Sequence, residues 1–275
     1  MIRILYITLV FVVPSSLRAE DAFAPPFFAF ENGVHFGDTA EQAKVLKELG
    51  YHGIGSANPR NLPARLAVFD AAGLQIFSLY VGGTLTADGA KYDPIISTAI
   101  QQLKGRETVI ELYLQGGAGA NDTSAIAFVR DIADQAQQAG LRVVLYPHTG
   151  FYIDTIGDAV RIAKACQRDN VGVMFNLCHF LNVEREADFR QALAAAEPYL
   201  WRVSVSGGKV GGKPWGELIQ PLDQGDFDQV ELLRELKKLG FSGAVGLQCY
   251  GVQGDARKNL QRSMTAWKQN LAALK

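Results

Sequence analysis

The chain has 275 residues, 48% of them hydrophobic and 20% charged, with a formal net charge of -1. That is enough apolar material for one large core or two small ones. The near-neutral balance supplies no basic face, which excludes nucleic acid as the expected partner.

The first element in chain order is a secretory leader. Arg3 is its positive end, Ile4 to Val13 its apolar run, and Pro14-Ser15-Ser16 a break before small residues suited to cleavage after Ala19 or Ala24. About ten apolar residues are half of what a spanning helix needs, so no membrane association is expected after the leader is removed. A buried N-terminal strand is the alternative. The expected division is residues 1–24 as signal peptide and short N-terminal segment, and 25–275 as a single domain, secreted or periplasmic; cleavage after Ala19, which removes Arg3 and Arg18, would leave the mature chain mildly acidic.

Next come β-rich runs alternating with stretches of helical period. The runs are 27–30, 52–56, 74–80, 108–114, 141–146, 171–175, 201–205 and 244–247, and the intervening helices are expected at 39–49, 62–72, 94–103, 123–139, 155–168, 184–196, 227–239 and 256–273. Gly50, Gly73, Gly140 and Gly240 fall just past helix ends, where a left-handed residue hands the chain to the next strand. Asp226 with Gln229 three residues on reads as a helix start. Eight βα units predict an α/β fold, a single (β/α)8 TIM barrel. The Gly-rich segment 206–216 lacks the spacing of a phosphate-cradling loop and reads as a mobile lid or rim, so no nucleotide cofactor is expected. Three cysteines allow one bridge at most: Cys166 reads as core, while Cys178 and Cys249 fall at strand ends.

In such a barrel the chemistry sits at the C-terminal strand ends. Those ends carry Glu31, Asn32 and His35 after strand one, Tyr80 after three, Gln115 after four, Tyr146 and His148 after five, Asn176 and His179 after six, Ser204, Ser206 and Lys209 around seven, and Gln248 and Tyr250 after eight. Glu31 and His35 flank an Asn-Gly turn and could equally be turn residues. His52, at the opposite end of strand two, reads as structural, and Glu111 within strand four as a buried acid or a salt-bridged wall residue. Aromatic residues Tyr80, Tyr146, Phe151, Tyr152, Trp215 and Tyr250 suit stacking against sugar rings.

At this point "FFAFENG", "LKELGYHGIG" and "QPLDQGDFDQVELLRELKKLGFSGAVGLQCYG" resemble the xylose isomerase-like TIM barrels, a family that includes sugar epimerases, inosose dehydratase and endonuclease IV. The resemblance runs over nearly all of the mature chain, and "NLCH" after strand six is similar to the family's Asp-Thr-x-His turn. In the family's epimerases a divalent metal is held by Glu, Asp, His and Glu after strands five to eight. The matching positions here are Tyr146, Asn176, Ser204 or Ser206, and Gln248, every one uncharged. Mg²⁺ or Mn²⁺ favours anionic oxygen, so the standard site is altered. His148 and His179, with the amide oxygens of Asn176 and Gln248, remain as a candidate set for a divalent ion (Mn, Zn, Ni or Mg).

The resulting expectation is an enzyme acting on a small-molecule carbohydrate by proton abstraction next to a carbonyl, either an isomerase or epimerase, or a lyase or hydratase on keto-sugars or 3-keto-glycosides. His148 is the expected base, His179 a substrate ligand or acid, Glu31 a second acid/base group, and Asn176, Gln248, Tyr146, Lys209, Tyr250 and His35 the substrate contacts. The missing carboxylates keep a catalytically inactive sugar-binding barrel as the alternative.

Overall fold

The computed structural model describes residues 23–274; the expected leader, with its apolar run from Ile4 to Val13, lies outside the described residues. Eight parallel strands form the frame. In order they are Phe27–Phe30, Gly53–Gly55, a third in two pieces (Gln75–Ile76 and Ser78–Thr86), Val109–Gly116, Val143–Leu145, Val171–Asn176, Leu200–Val205 and Ala244–Leu247. Each pairs with its sequence neighbour, and the eighth returns to the first through Phe27↔Val245 and Ala29↔Leu247. Between strands two and three the pairing Gly53↔Gln75 is carried past the break at Phe77 by an Ala57↔Leu79 bridge, which closes the ring. The expected TIM-barrel fold is therefore the observed one.

Two layers of core hold it. Outside, the strand backs pack against the apolar stripes of the helices, as with Leu232, Leu233 and Leu236 of helix Gln229–Lys238. Inside, Phe28, Phe30, Phe77, Val109, Val144, Met174 and Ala244 fill the barrel, with Phe28 stacked on Phe77 at 4.6 Å between ring centroids. Each ring buried in this way contributes about 2–3 kcal/mol. Gly50, Gly73, Gly140 and Gly240 all adopt positive φ, as their places after helices required.

Four features differ from the sequence reading. The third strand runs on to Thr86 and turns into an antiparallel partner, Gly89–Tyr92. Helix Gln229–Lys238 is capped by Asp228, which accepts from Glu231 N–H, while Asp226 accepts from Val210 N–H instead. The segment after strand six is a helix, Leu177–Val183, with Asn176 as its N-cap rather than a bare turn. The Gly-rich segment is a packed rim: Gly207 pairs with Gln220, and a Cβ on Gly207 would lie 2.1 Å from the Pro221 carbonyl oxygen.

Candidate active site

The C-terminal strand ends surround a cavity of about 460 Å³. Its walls come from Asn32 after strand one, Ser56 after two, Tyr80 on three, Tyr146 and His148 after five, His179 after six, Trp215 and Ile219 on the rim, and Gln248 and Tyr250 after eight. Tyr80 meets Tyr146 edge-on at 4.9 Å, so the floor on that side is aromatic.

The strand-eight end is built by a close approach. Gly33 lies where a Cβ would come 1.9 Å from the Cys249 Cβ, so only glycine lets the strand-one turn reach strand eight. That contact brings Asn32 Nδ2 to donate to Gln248 Oε1 at 2.7 Å. Cys249 N–H and Tyr250 N–H donate to the same oxygen at 3.0 Å each, and Gln248 Nε2 donates to the Tyr146 hydroxyl at 3.3 Å. At the strand-six end Asn176 Oδ1 accepts from the Ser204 hydroxyl at 2.7 Å and from the Cys178 thiol at 3.4 Å. Burial pushes both the Cys178 and Cys249 thiols up to about 12, so neither supplies a thiolate. Cys166, Cys178 and Cys249 are all free and buried.

The two imidazoles are set by one residue, Thr149. Its carbonyl lies 2.9 Å from His148 Nδ1, which must therefore carry the proton, leaving a lone pair on Nε2. Its N–H donates to His179 Nδ1 at 3.1 Å, so that nitrogen is the acceptor and, in the neutral ring, Nε2 carries the proton. Burial favours the neutral form of both rings: the His148 pKa is lowered, and that of His179 falls to about 3, by burial first and by the repulsion its protonated form would meet from a protonated His148 second. The ring centroids are 4.2 Å apart, and Phe151 stacks on His148 at 3.9 Å. The cavity thus holds a basic nitrogen and an acidic N–H side by side.

Of the residues expected at the site, Tyr146, His148, His179, Gln248 and Tyr250 line this cavity, and Asn176 is buried behind it in contact with Ser204. Glu31 does not line it: its carboxylate pairs with buried Arg65 at 2.7 Å and accepts from Asn58 N–H, fastening the strand-two loop to strand one. A carboxyl engaged by a guanidinium and placed outside the cavity wall is out of reach of a substrate there, which corrects the catalytic role expected for Glu31. His35 is exposed and borders a separate cavity of about 170 Å³ beside Cys249 and Asn259. Lys209 sits on the rim, paired with Glu217 at 3.3 Å. His52, as expected, is structural, accepting from Phe27 N–H at the far end of the barrel. Sequence reasoning missed Ser56, Ile219 and Thr149; the first has no motif around it, and the last acts through its backbone.

Residues 102–275 match the family described as xylose isomerase-like TIM barrel. The chain belongs to that family. No curated protein matches it by sequence. Among solved structures it is similar to 3-keto-D-glucoside 4-epimerase from E. coli, with a TM-score of 0.68 at 16% identity over 90% of this chain and 99% of that one. It is also similar to D-psicose 3-epimerase from Clostridium cellulolyticum H10, with a TM-score of 0.65 at 16% identity over 91% and 99%. At these identities the likeness establishes the fold.

Similar barrels have been solved with zinc or, from Mycobacterium smegmatis, with magnesium. The donor set of this chain does not fit such an ion. Gln248 Oε1 already accepts three N–H groups, Asn176 Oδ1 already accepts a hydroxyl, and His179 Nε2 carries a proton as long as Thr149 N–H occupies Nδ1. Among the described residues no cluster of three or more His, Cys, Asp or Glu side chains is placed to hold a metal. A divalent cation needs several free lone pairs and compensating negative charge, and this site presents one free imidazole nitrogen.

Proposed function

We propose that the protein is an exported carbohydrate-active enzyme that abstracts the proton next to the carbonyl of a keto-sugar or 3-keto-glycoside, as an isomerase or epimerase or as a lyase. The observation that carries this reading is the Thr149-clamped imidazole pair of opposite tautomers facing one cavity. His148 Nε2 takes the α-proton. His179 Nε2–H donates to the carbonyl oxygen, where negative charge develops as the enediolate forms; a neutral, desolvated donor of this kind is worth about 10²–10³ in rate. Tyr80, Trp215 and Tyr250 supply apolar faces for the sugar ring. A substrate that arrives with its carbonyl in place asks for no cation to shift a hydride. The leader-like run from Arg3 to Val13 supports export, where free or oxidised glycosides are met in place of phosphorylated sugars.

One observation favours a second reading, a sugar-binding barrel without turnover: among the described residues no carboxylate lines the cavity. The two part in D₂O. The protein incubated with a 3-keto-glycoside should exchange or eliminate at the carbon beside the ketone, seen by proton NMR, with the same rate in chelator and loss in His148→Ala. Saturable binding with no exchange for any keto-sugar, in protein and variant alike, would leave the binding barrel.

A further inference from the structure

Beneath the floor of the cavity lies a carboxyl that this chemistry has not used. Glu111 sits on the fourth strand in register with Tyr80 on the third and Val144 on the fifth. Side chains in register project from the same face of a sheet; Tyr80 lines the cavity and Val144 belongs to the interior cluster, so Glu111 points into the barrel under the mouth. It is completely buried, and neither carboxyl oxygen has an aligned hydrogen bond or ion pair among the described residues. The groups facing it are the Ser78 and Ser56 hydroxyls, which approach closely enough to hold its pKa down, Tyr80 and Tyr146, and Arg202 at a longer distance. Burial outweighs them and raises its pKa to about 7. A buried carboxyl without a firm partner is costly to keep, and such groups collect where chemistry needs them.

Ser56 connects it to the cavity. Its side chain lines the wall, its N–H donates to Ser78 Oγ at 2.7 Å, and its φ of 50° is unusual for a residue other than glycine. It follows strand two, whereas His179 follows strand six, four places round a ring of eight, so the two face each other across the mouth.

We propose that Glu111 is the second proton group of the site, acting through the Ser56 hydroxyl on the face of the sugar opposite His148 and His179. This rests on the function proposed above and narrows it to a two-base epimerisation. His148 Nε2 removes the α-proton and the C–H electrons form the enediolate. Ser56 O–H then protonates that carbon from the other face, while the Glu111 O–H proton replaces the one Ser56 has given, leaving a carboxylate. Solvent takes the proton from His148 and returns one to Glu111, so the cycle closes without a further reactant. The reverse direction uses the same groups with their roles exchanged.

The test follows methyl 3-keto-glucopyranoside in D₂O by NMR, scoring exchange in recovered substrate separately from epimer formed, for wild type, Glu111→Gln and Ser56→Gly. The glycine variant removes the hydroxyl at a backbone position that suits glycine. Expected is a loss of epimer formation of about 100-fold or more in both variants, with exchange through His148 continuing. Wild-type epimer formation in the direction that uses Glu111 as acid should also fall above about pH 7. Unchanged epimer formation in the variants, or equal loss of exchange and epimer, overturns the proposal. If wild type neither exchanges nor epimerises, the function reading fails separately, and infrared spectra then decide the Glu111 contact. A protonated carboxyl band absent from Glu111→Gln and shifted in Ser56→Gly supports it; a band indifferent to Ser56 overturns it.

Discussion

Replacing His179 by Gln should make the protein gain stability in mild acid where wild type changes little. His179 is 5% exposed and its pKa is depressed from 6.5 to about 3. The folded value lies below the unfolded one, so between those limits the unfolded chain binds the extra proton and stability falls as pH drops. At about 1.4 kcal/mol per unit, the two units from ~6.5 to ~4.5 cost the folded state about 2.7 kcal/mol. Glu111 acts with the opposite sign. Its folded pKa of about 7 lies above the ordinary 4.5, so its stabilising contribution is complete below pH 4.5 and lost as pH rises through 7. Acidification over that window therefore returns at most about 3.4 kcal/mol. In wild type the two terms nearly cancel. Urea denaturation from ~pH 7 to ~pH 4.5 should give a His179→Gln variant that gains roughly 2–3 kcal/mol relative to wild type on acidification and a Glu111→Gln variant that loses about as much. Curves for wild type and His179→Gln that run parallel would mean that the folded ring takes up protons normally, and the clamped neutral tautomer would have to be abandoned.

The other expectations concern the hydrogen-bonded floor. Gln248→Leu strands the N–H groups of Asn32, Cys249 and Tyr250 and should cost about 3 kcal/mol or more, whereas Gln248→Glu keeps an acceptor and should cost less; guanidinium denaturation of the pair shows whether the ordering holds. Gly33→Ala places a Cβ against Cys249 and should destabilise by about 1–3 kcal/mol while weakening sugar binding by calorimetry, and a neutral result would show that the two turns can separate. Excess Mn²⁺, Zn²⁺ or chelator should leave the melting temperature unchanged; a saturable rise with either ion would defeat the donor-set argument.

The barrel was legible because short apolar-rich runs alternate with helical stretches, four of which stop at a glycine: Gly50, Gly73, Gly140 and Gly240 punctuate the chain as they do in space. The hairpin Gly89–Tyr92 was not, since its polar, glycine-containing sequence carries no burial pattern. Helix Leu177–Val183 hid in "NLCH" because a seven-residue helix shows barely two turns of period. Within the site, His148 and His179 announced themselves as rare residues at strand ends, but the group that gives them opposite tautomers, the Thr149 peptide, has no side-chain signature at all. Glu31 looked catalytic from position alone. Its partner Arg65 lies thirty-four residues away on another element, a pairing that only the folded chain brings together.

On the proposed reading, the four neutral residues that the sequence resemblance sets at the family's ligand positions make sense as one change. Removing a single carboxylate from a metal site leaves charge unbalanced in a buried place, at a cost of several kcal/mol; removing all of them together with the ion leaves none to balance. What remains must then satisfy itself, and it nearly does: Ser204 donates to Asn176 Oδ1, and Gln248 donates to Tyr146 while taking three N–H groups. The exception is Asn176 Nδ2, buried without an aligned partner among the described residues, in a side chain whose pull opposes the burial that raises the Tyr146 pKa. A spare donor beside a phenol, with His179 Nε2–H nearby, is an arrangement that stabilises negative charge on oxygen and not a cation. On the proposed reading the site has exchanged a positive ion for hydrogen-bond donors, which suffices for a substrate whose carbonyl already exists and whose enediolate needs only to be held between two proton donors.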